Sequence, residues 1–398
     1  MSSISSAIAR LRARAGVPAA RLVDRTSATA ARQRTWCGQP ERPGGLLPAG
    51  SGHRLGHVLT AALVLLVLFV GRYWYAAAPQ RPVQFGVSFS CRQVRYLGGD
   101  CATAFAELLD GLGVRHVRLS LYWDQVEPQP GRFDFSETDE LVQQARQRGA
   151  DVLLTVGIKA QRYPEVYLPG WLRTGAILPE GAVIDEAPWV RAATLAYVAA
   201  AVRHYAGEPA VSGWQVENEP FIKNFEKIHG WTISEQMTAA EAAEVRSADP
   251  LHRPIVVTHS SWTVYDRRWK DALALGDVLG QNVFTKKAWI RDWWYFFPYE
   301  MGPFAPNLPG QAAAARRAGK QFWITELQGE PEERKSLLQL NPATAQSISP
   351  RLLLDNAALA RRSGASRAYL WGAEWWYFRH ARGDDALWNT ARGLLAQS

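Results

Sequence analysis

Cysteine is scarce in this chain. Three cysteines in 398 residues are too few for a disulfide framework, and no two of them have the CxxC spacing of a zinc site. Histidine excludes nearly as much: the eight histidines (53, 57, 116, 204, 229, 252, 259, 380) contain no HxH or HExxH pair, which disfavours a metal-dependent hydrolase. No metal and no cofactor are expected. The glycine-rich phosphate turn of a dinucleotide-binding sheet is also missing, since Gly111-Leu112-Gly113 falls at a predicted helix end without a third glycine in register. Lysine is absent from the first 80 residues, which hold ten arginines against Asp24 and Glu41. The net charge of +8 therefore belongs to that stretch, and the 35 basic and 35 acidic residues that follow cancel. The folded part has no general electrostatic case for nucleic acid.

With 47% hydrophobic and 21% charged residues, the chain is too apolar for overall disorder and long enough for one large domain or two ordinary ones. Residues 1–54, rich in Ala, Arg, Ser, Gly and Pro, are expected to form a disordered arginine-rich tail. Leu55 to Gly71 is a run of 17 residues without Asp, Glu, Lys or Arg. That is the short end of what crosses about 30 Å of hydrocarbon as a helix. Arg72 can snorkel, and Tyr73, Trp74 and Tyr75 supply an interfacial aromatic belt. Residues 55–78 are therefore expected to be a transmembrane signal anchor rather than a buried core helix. The arginines before it would keep the N-terminus cytoplasmic and place the remainder in the periplasm or outside the cell. The rival reading is a signal peptide cleaved at Ala76-Ala77-Ala78, disfavoured by Pro79 and the long leader. In an oxidising compartment Cys91 and Cys101 can close a small disulfide loop, with Cys37 left unpaired on the inner side; two free thiols are the alternative.

Residues 83–398 alternate short apolar runs with amphipathic segments. The expected strands are Val83–Phe89, His116–Leu121, Asp151–Val156, Val211–Val216, Ile255–Thr258, Val278–Val283, Phe322–Thr325 and Ala368–Trp371. They are apolar on both faces, as in a parallel sheet covered by helices. Helices follow in turn, from Ala102–Leu112 to Ala386–Leu395; Thr138–Arg148 is expected to be capped by Ser136. Eight strand–helix units without a dividing linker predict an α/β fold, the (β/α)8 TIM barrel.

Reactive groups in such a barrel sit at the C-terminal ends of strands. Two exits carry acids in suggestive contexts: Trp214-Gln215-Val216-Glu217-Asn218-Glu219-Pro220 and Phe322-Trp323-Ile324-Thr325-Glu326-Leu327-Gln328. A single exposed acid is an ordinary surface residue. Two carboxylates on separate strands facing one cleft are what glycosidic cleavage needs, one protonated to release the leaving oxygen and one charged to attack the anomeric carbon.

The sequence resembles the clan A glycoside hydrolases, retaining (β/α)8 enzymes, most of all bacterial cellulase-type members. The resemblance rests on Asn218-Glu219-Pro220 and Ile324-Thr325-Glu326-Leu327-Gln328. It is supported by the stretches 117–123, 126–128, 131–134 and 369–377. It implies Glu219 as general acid/base and Glu326 as nucleophile. Asn218 would bind the sugar 2-hydroxyl, Arg118 would support the nucleophile, and Trp371 would stack on the sugar at the cleavage site. Glu217 aligns outside the motif and is expected to act in support. Glu330 and Glu374 are expected to touch outer sugars or pair with arginines. One departure stands out, because Phe284 occupies the place after the sixth strand where such barrels usually carry a tyrosine near the nucleophile.

Tryptophan, by contrast, is abundant at 17 residues. Trp123, Trp171, Trp262, Trp289, Trp293, Trp294, Trp371, Trp375 and Trp376 fall at or after strand ends, where indoles can stack on sugar rings. Trp293-Trp294-Tyr295-Phe296-Phe297 is expected to be a subsite wall or lid; an aromatic patch resting on the membrane is the other reading. Trp123, Trp371 and Trp376, with Glu374 and Phe284, complete the candidate sugar-binding set. The expected function is a membrane-anchored retaining β-glycosidase acting on a poly- or oligosaccharide. The competitor, motivated by Phe284, is a catalytically impaired, membrane-tethered glycan-binding protein on the same barrel.

Overall fold

A computed structural model describes residues 51–77, 79–173, 181–222, 231–290, 294–340 and 345–397. The expected tail, residues 1–54, lies outside them up to residue 50, as do Cys37 and Trp293. The expected anchor forms the helix Ser51–Ala77. Among the described residues no helix is long and apolar enough to cross a membrane. The side chains described on this helix, residues 56–69, include well-exposed Val58, Leu59, Leu63, Leu65 and Phe69. The barrel belongs to the compact unit His57–Ser398.

Eight parallel strands close into a barrel: β1 (Gln84–Ser88), β2 (His116–Ser120), β3 (Asp151–Val156), β4 (Val211–Val216), β5 (Ile255–His259), β6 (Val278–Val283), β9 (Gln321–Gln328) and β10 (Arg367–Trp371). Each expected strand is present. Between β6 and β9 the chain adds an antiparallel ribbon, β7 (Lys287–Ile290) and β8 (Trp294–Phe296), where only an aromatic loop was expected. Helix Ser136–Gln147 starts earlier than its sequence pattern indicated. Its N-cap position is Phe135, with no side-chain cap, and Ser136 instead donates its backbone N–H to Asp134 at 3.0 Å.

Strand alternation divides the buried residues into two groups. Val152, Leu154, Ile255, Val257, Ala368 and Leu370 pack outward under the helices, in the main core. Their neighbours Leu153, Val256, Val278, Trp323 and Tyr369 form a separate cluster inside the barrel. Arg118, flanked by the outward Val117 and Leu119, also points inward and is fully buried. One strand breaks the rule. In β9, Ile324 pairs with Gln281 and Glu326 with Asn282, so Thr325 is skipped. This bulge turns both Thr325 and Glu326 towards the interior, whereas strict alternation would send one of them outward. Cys91 and Cys101 are joined in a disulfide.

Candidate active site

The two acids arrive from opposite sides of one polar cluster. Glu326, at 4% exposure, accepts a hydrogen bond from Arg118 Nη1 at 2.9 Å. The other arms of Arg118 are also engaged, Nη2 with Asn218 Oδ1 at 2.9 Å and Nε with Gln215 Oε1 at 2.7 Å. Glu219, 8% exposed, accepts from Asn282 Nδ2 at 2.8 Å, and its own N–H donates to Thr258 Oγ1 at 2.8 Å. Asn282 Nδ2 also lies 3.4 Å from Asn218 Oδ1. A continuous network thus runs from Glu219 through Asn282, Asn218 and Arg118 to Glu326. A guanidinium with no solvent contact favours the charged form of the carboxylate it touches. Asn218 is held by its oxygen, which leaves its amide as the donor group.

The chain reaches this geometry through unusual backbone. Glu217 and Glu219 both have left-handed φ, 59° and 50°, a region that side-chain-bearing residues seldom occupy. The consequence is that their side chains part company. Glu217 turns away from the cluster and accepts from the backbone N–H groups of Ile158 at 2.7 Å and Lys159 at 2.6 Å. Burial beside Glu241 raises Glu217 to about 7 and raises Glu241 well above its ordinary value. Lys159, also buried, is lowered to about 8 by desolvation against the pull of Glu219 and Glu217. Sequence reasoning assigned no chemistry to Lys159, Asn282 or Arg162. Each had one readable feature, a polar residue at or just past an apolar strand.

Several expected sugar contacts are structural. Trp123 is fully buried, stacked on Tyr197 at 5.1 Å, with its N–H on Glu127. Trp376 is fully buried and donates to Gly329 O at 2.7 Å, and Trp375 stacks on Phe378 at 5.4 Å. The Trp123 and Trp376 rings each meet a distant part of the chain, so packing between segments claimed them. Glu374 is likewise buried: it pairs with Arg162 at 2.6 Å and accepts from Ser90 N–H at 2.8 Å. Arg162 also binds Glu330, and its guanidinium lies 3.8 Å over the Trp371 ring. One face of that indole is therefore covered by a cation. Phe284 meets Trp371 edge-on with ring centroids 6.2 Å apart, so it packs beside the indole where a hydroxyl was expected. Phe296, of the expected aromatic wall, is half-buried and stacks at 6.1 Å on the half-buried Trp262. Among the described residues no His, Cys, Asp and Glu cluster suits a metal ion.

Comparison with known proteins converges on one class. Residues 101–239 match the Glyco_hydro_42 family, described as β-galactosidase. That stretch includes Glu219 and ends before Glu326. The β-galactosidase BgaA of Clostridium cellulovorans is 26% identical over 147 residues, which make up 33% of this chain and 22% of that protein. The cold-adapted β-galactosidase of Rahnella sp. R3 superposes with a TM-score of 0.52 at 14% identity, covering 74% of this chain and 51% of that one. The GH5_18 protein of Streptomyces cattleya, solved with GlcNAc, gives a TM-score of 0.50 at 15% identity over 74% of this chain and 71% of its own. This chain thus spans only 22% and 51% of the lengths of the two β-galactosidases. At such identities the structural likeness shows the (β/α)8 fold. The sequence match adds its support to the resemblance to retaining clan A glycoside hydrolases.

Proposed function

We propose that this protein is a retaining β-glycosidase that cleaves a poly- or oligosaccharide by double displacement. The observation that carries the reading is the network joining Glu219 and Glu326 through Asn282, Asn218 and Arg118 at the C-terminal end of the barrel. Glu219 would donate its proton to the leaving oxygen as Glu326 attacks the anomeric carbon, forming a glycosyl ester. Glu219, now a carboxylate, would then take a proton from water, whose oxygen displaces Glu326. The free amide of Asn218 suits the sugar 2-hydroxyl, a contact that strengthens as positive charge develops at the ring. Trp371, with Arg162 over one face of its ring, would stack on the sugar through the other.

The decisive experiment is covalent trapping by a panel of 2-fluoro glycosides, followed by peptide mapping. Glu326 should carry the label, and Glu326→Gln should lower kcat by at least about 10^4-fold. Products inverted at the anomeric carbon would refute double displacement. Binding of polysaccharide without turnover would favour the glycan-binding alternative that Phe284 motivates.

The apolar run 55–71 and the exposed Val58, Leu59, Leu63, Leu65 and Phe69 support a further part of the proposal, that this segment tethers the barrel to a membrane from the exported side. Full-length protein should then resist carbonate extraction from membranes. Release into the soluble fraction at full length would contradict the tether, and recovery of a protein starting near Pro79 would indicate cleavage.

A further inference from the structure

We infer that Glu217 is the positioning residue of Glu219, acting through a reciprocal clasp between the exits of β3 and β4. The inference rests on the proposed role of Glu219 as acid/base. The clasp is built in both directions. Glu217, with no solvent exposure, receives the N–H groups of Ile158 and Lys159 on its two carboxylate oxygens, at 2.7 and 2.6 Å. In return Asn218 N–H donates to Lys159 O at 2.8 Å and Glu217 N–H to Val156 O at 2.9 Å. Lys159 Nζ then reaches past the motif to donate to Glu219 O at 2.7 Å and Ile222 O at 3.1 Å. Six hydrogen bonds thereby tie the chain from Glu217 to Ile222 to the β3 exit.

Gly157 makes room for this. A Cβ at that position would lie 2.4 Å from Glu217 Oε1, and its φ of 117° is one that side-chain-bearing residues rarely adopt. The carboxylate fits only because residue 157 has no side chain. What the clasp achieves is visible at the neighbouring positions. Left-handed φ at both Glu217 and Glu219 is unfavourable for such residues and persists only where the surroundings over-determine it. That conformation sends the two side chains in different directions, Glu217 into the β3 exit and Glu219 to Asn282. Glu217 has no route to substrate, since its carboxylate is buried and both oxygens are occupied.

The test uses leaving-group dependence, which general loss of structure does not move. Aryl β-glycosides with poor leaving groups need the proton from Glu219; dinitrophenyl glycosides do not. With full-length protein, Glu217→Gln should lower kcat/KM for a phenyl glycoside by about 10^2-fold and leave the dinitrophenyl glycoside nearly unchanged. Gly157→Ala, which crowds the carboxylate without altering charge, should give the same selectivity and serves where Glu217→Gln does not fold. Equal losses on both substrates, or no loss on either, would overturn the inference while the glycosidase reading stands. A wild-type protein that cleaves no glycoside would instead overturn the reading beneath it.

Discussion

Asn282 donates its side-chain amide to Glu219 at 2.8 Å, while the oxygen of the same amide accepts from Thr325 Oγ1 at 2.7 Å. The second bond fixes which way the amide faces, so the bulge at Thr325 on one strand orients the partner of an acid on another. Asn282→Ala should lower kcat/KM on unactivated glycosides by about 10-fold, the worth of the one hydrogen bond that orients Glu219. Thr325→Val, which frees the amide to rotate, should cost less in the same assay.

Arg118 and Glu326 form an ion pair with side-chain exposures of 0% and 5%. Removing the cation strands a buried carboxylate. Arg118→Met should destabilise the protein by about 3–5 kcal/mol, measured by denaturant unfolding. Arg118→Lys keeps the charge but loses the planar fork that serves Glu326, Asn218 and Gln215 together. It should fall between the two in stability and still be strongly impaired in turnover.

The disulfide joins cysteines ten positions apart. Closing so short a loop in the unfolded chain is worth about 2–3 kcal/mol. The double variant Cys91→Ser, Cys101→Ser should melt several degrees lower than the oxidised protein, and a reductant should lower the melting point of the wild type alone.

Burial raises Glu374 from an ordinary 4.5 to about 7, against the pull of Arg162. Between those values the folded protein holds a proton that the unfolded chain has released. Stability from this group is therefore complete below about 4.5 and is lost as the pH climbs to about 7. Glu217 is raised in the same direction by its burial. Chemical denaturation should show stability falling from pH 5 to 7, and Glu374→Gln should flatten that slope.

The eight strands and most helices could be read from the sequence because each is a local pattern: an apolar run or a 3.6-residue stripe, closed by glycine or proline. The same logic placed Glu219 and Glu326 at strand ends. It failed at Trp123 and Trp376, both fully buried, because an indole beside a strand end looks the same whether it faces a cleft or a helix. Glu374 does pair with an arginine, one of the two expectations for it, but its partner Arg162 lies 212 positions away and no local pattern names it. The ribbon of β7 and β8 was missed since its strands are only four and three residues long and rich in rings.

Composition and periodicity alone thus determined the barrel, the uneven charge along the chain, and two acids at separate strand exits. Tertiary structure decided where those acids point. Alternation dictates one direction per residue, yet Thr325 and Glu326 both face inward at a bulge, and Glu217 and Glu219 diverge through left-handed backbone. Such departures are unfavourable locally and exist only because neighbouring strands supply the compensating hydrogen bonds, which no short stretch of sequence contains.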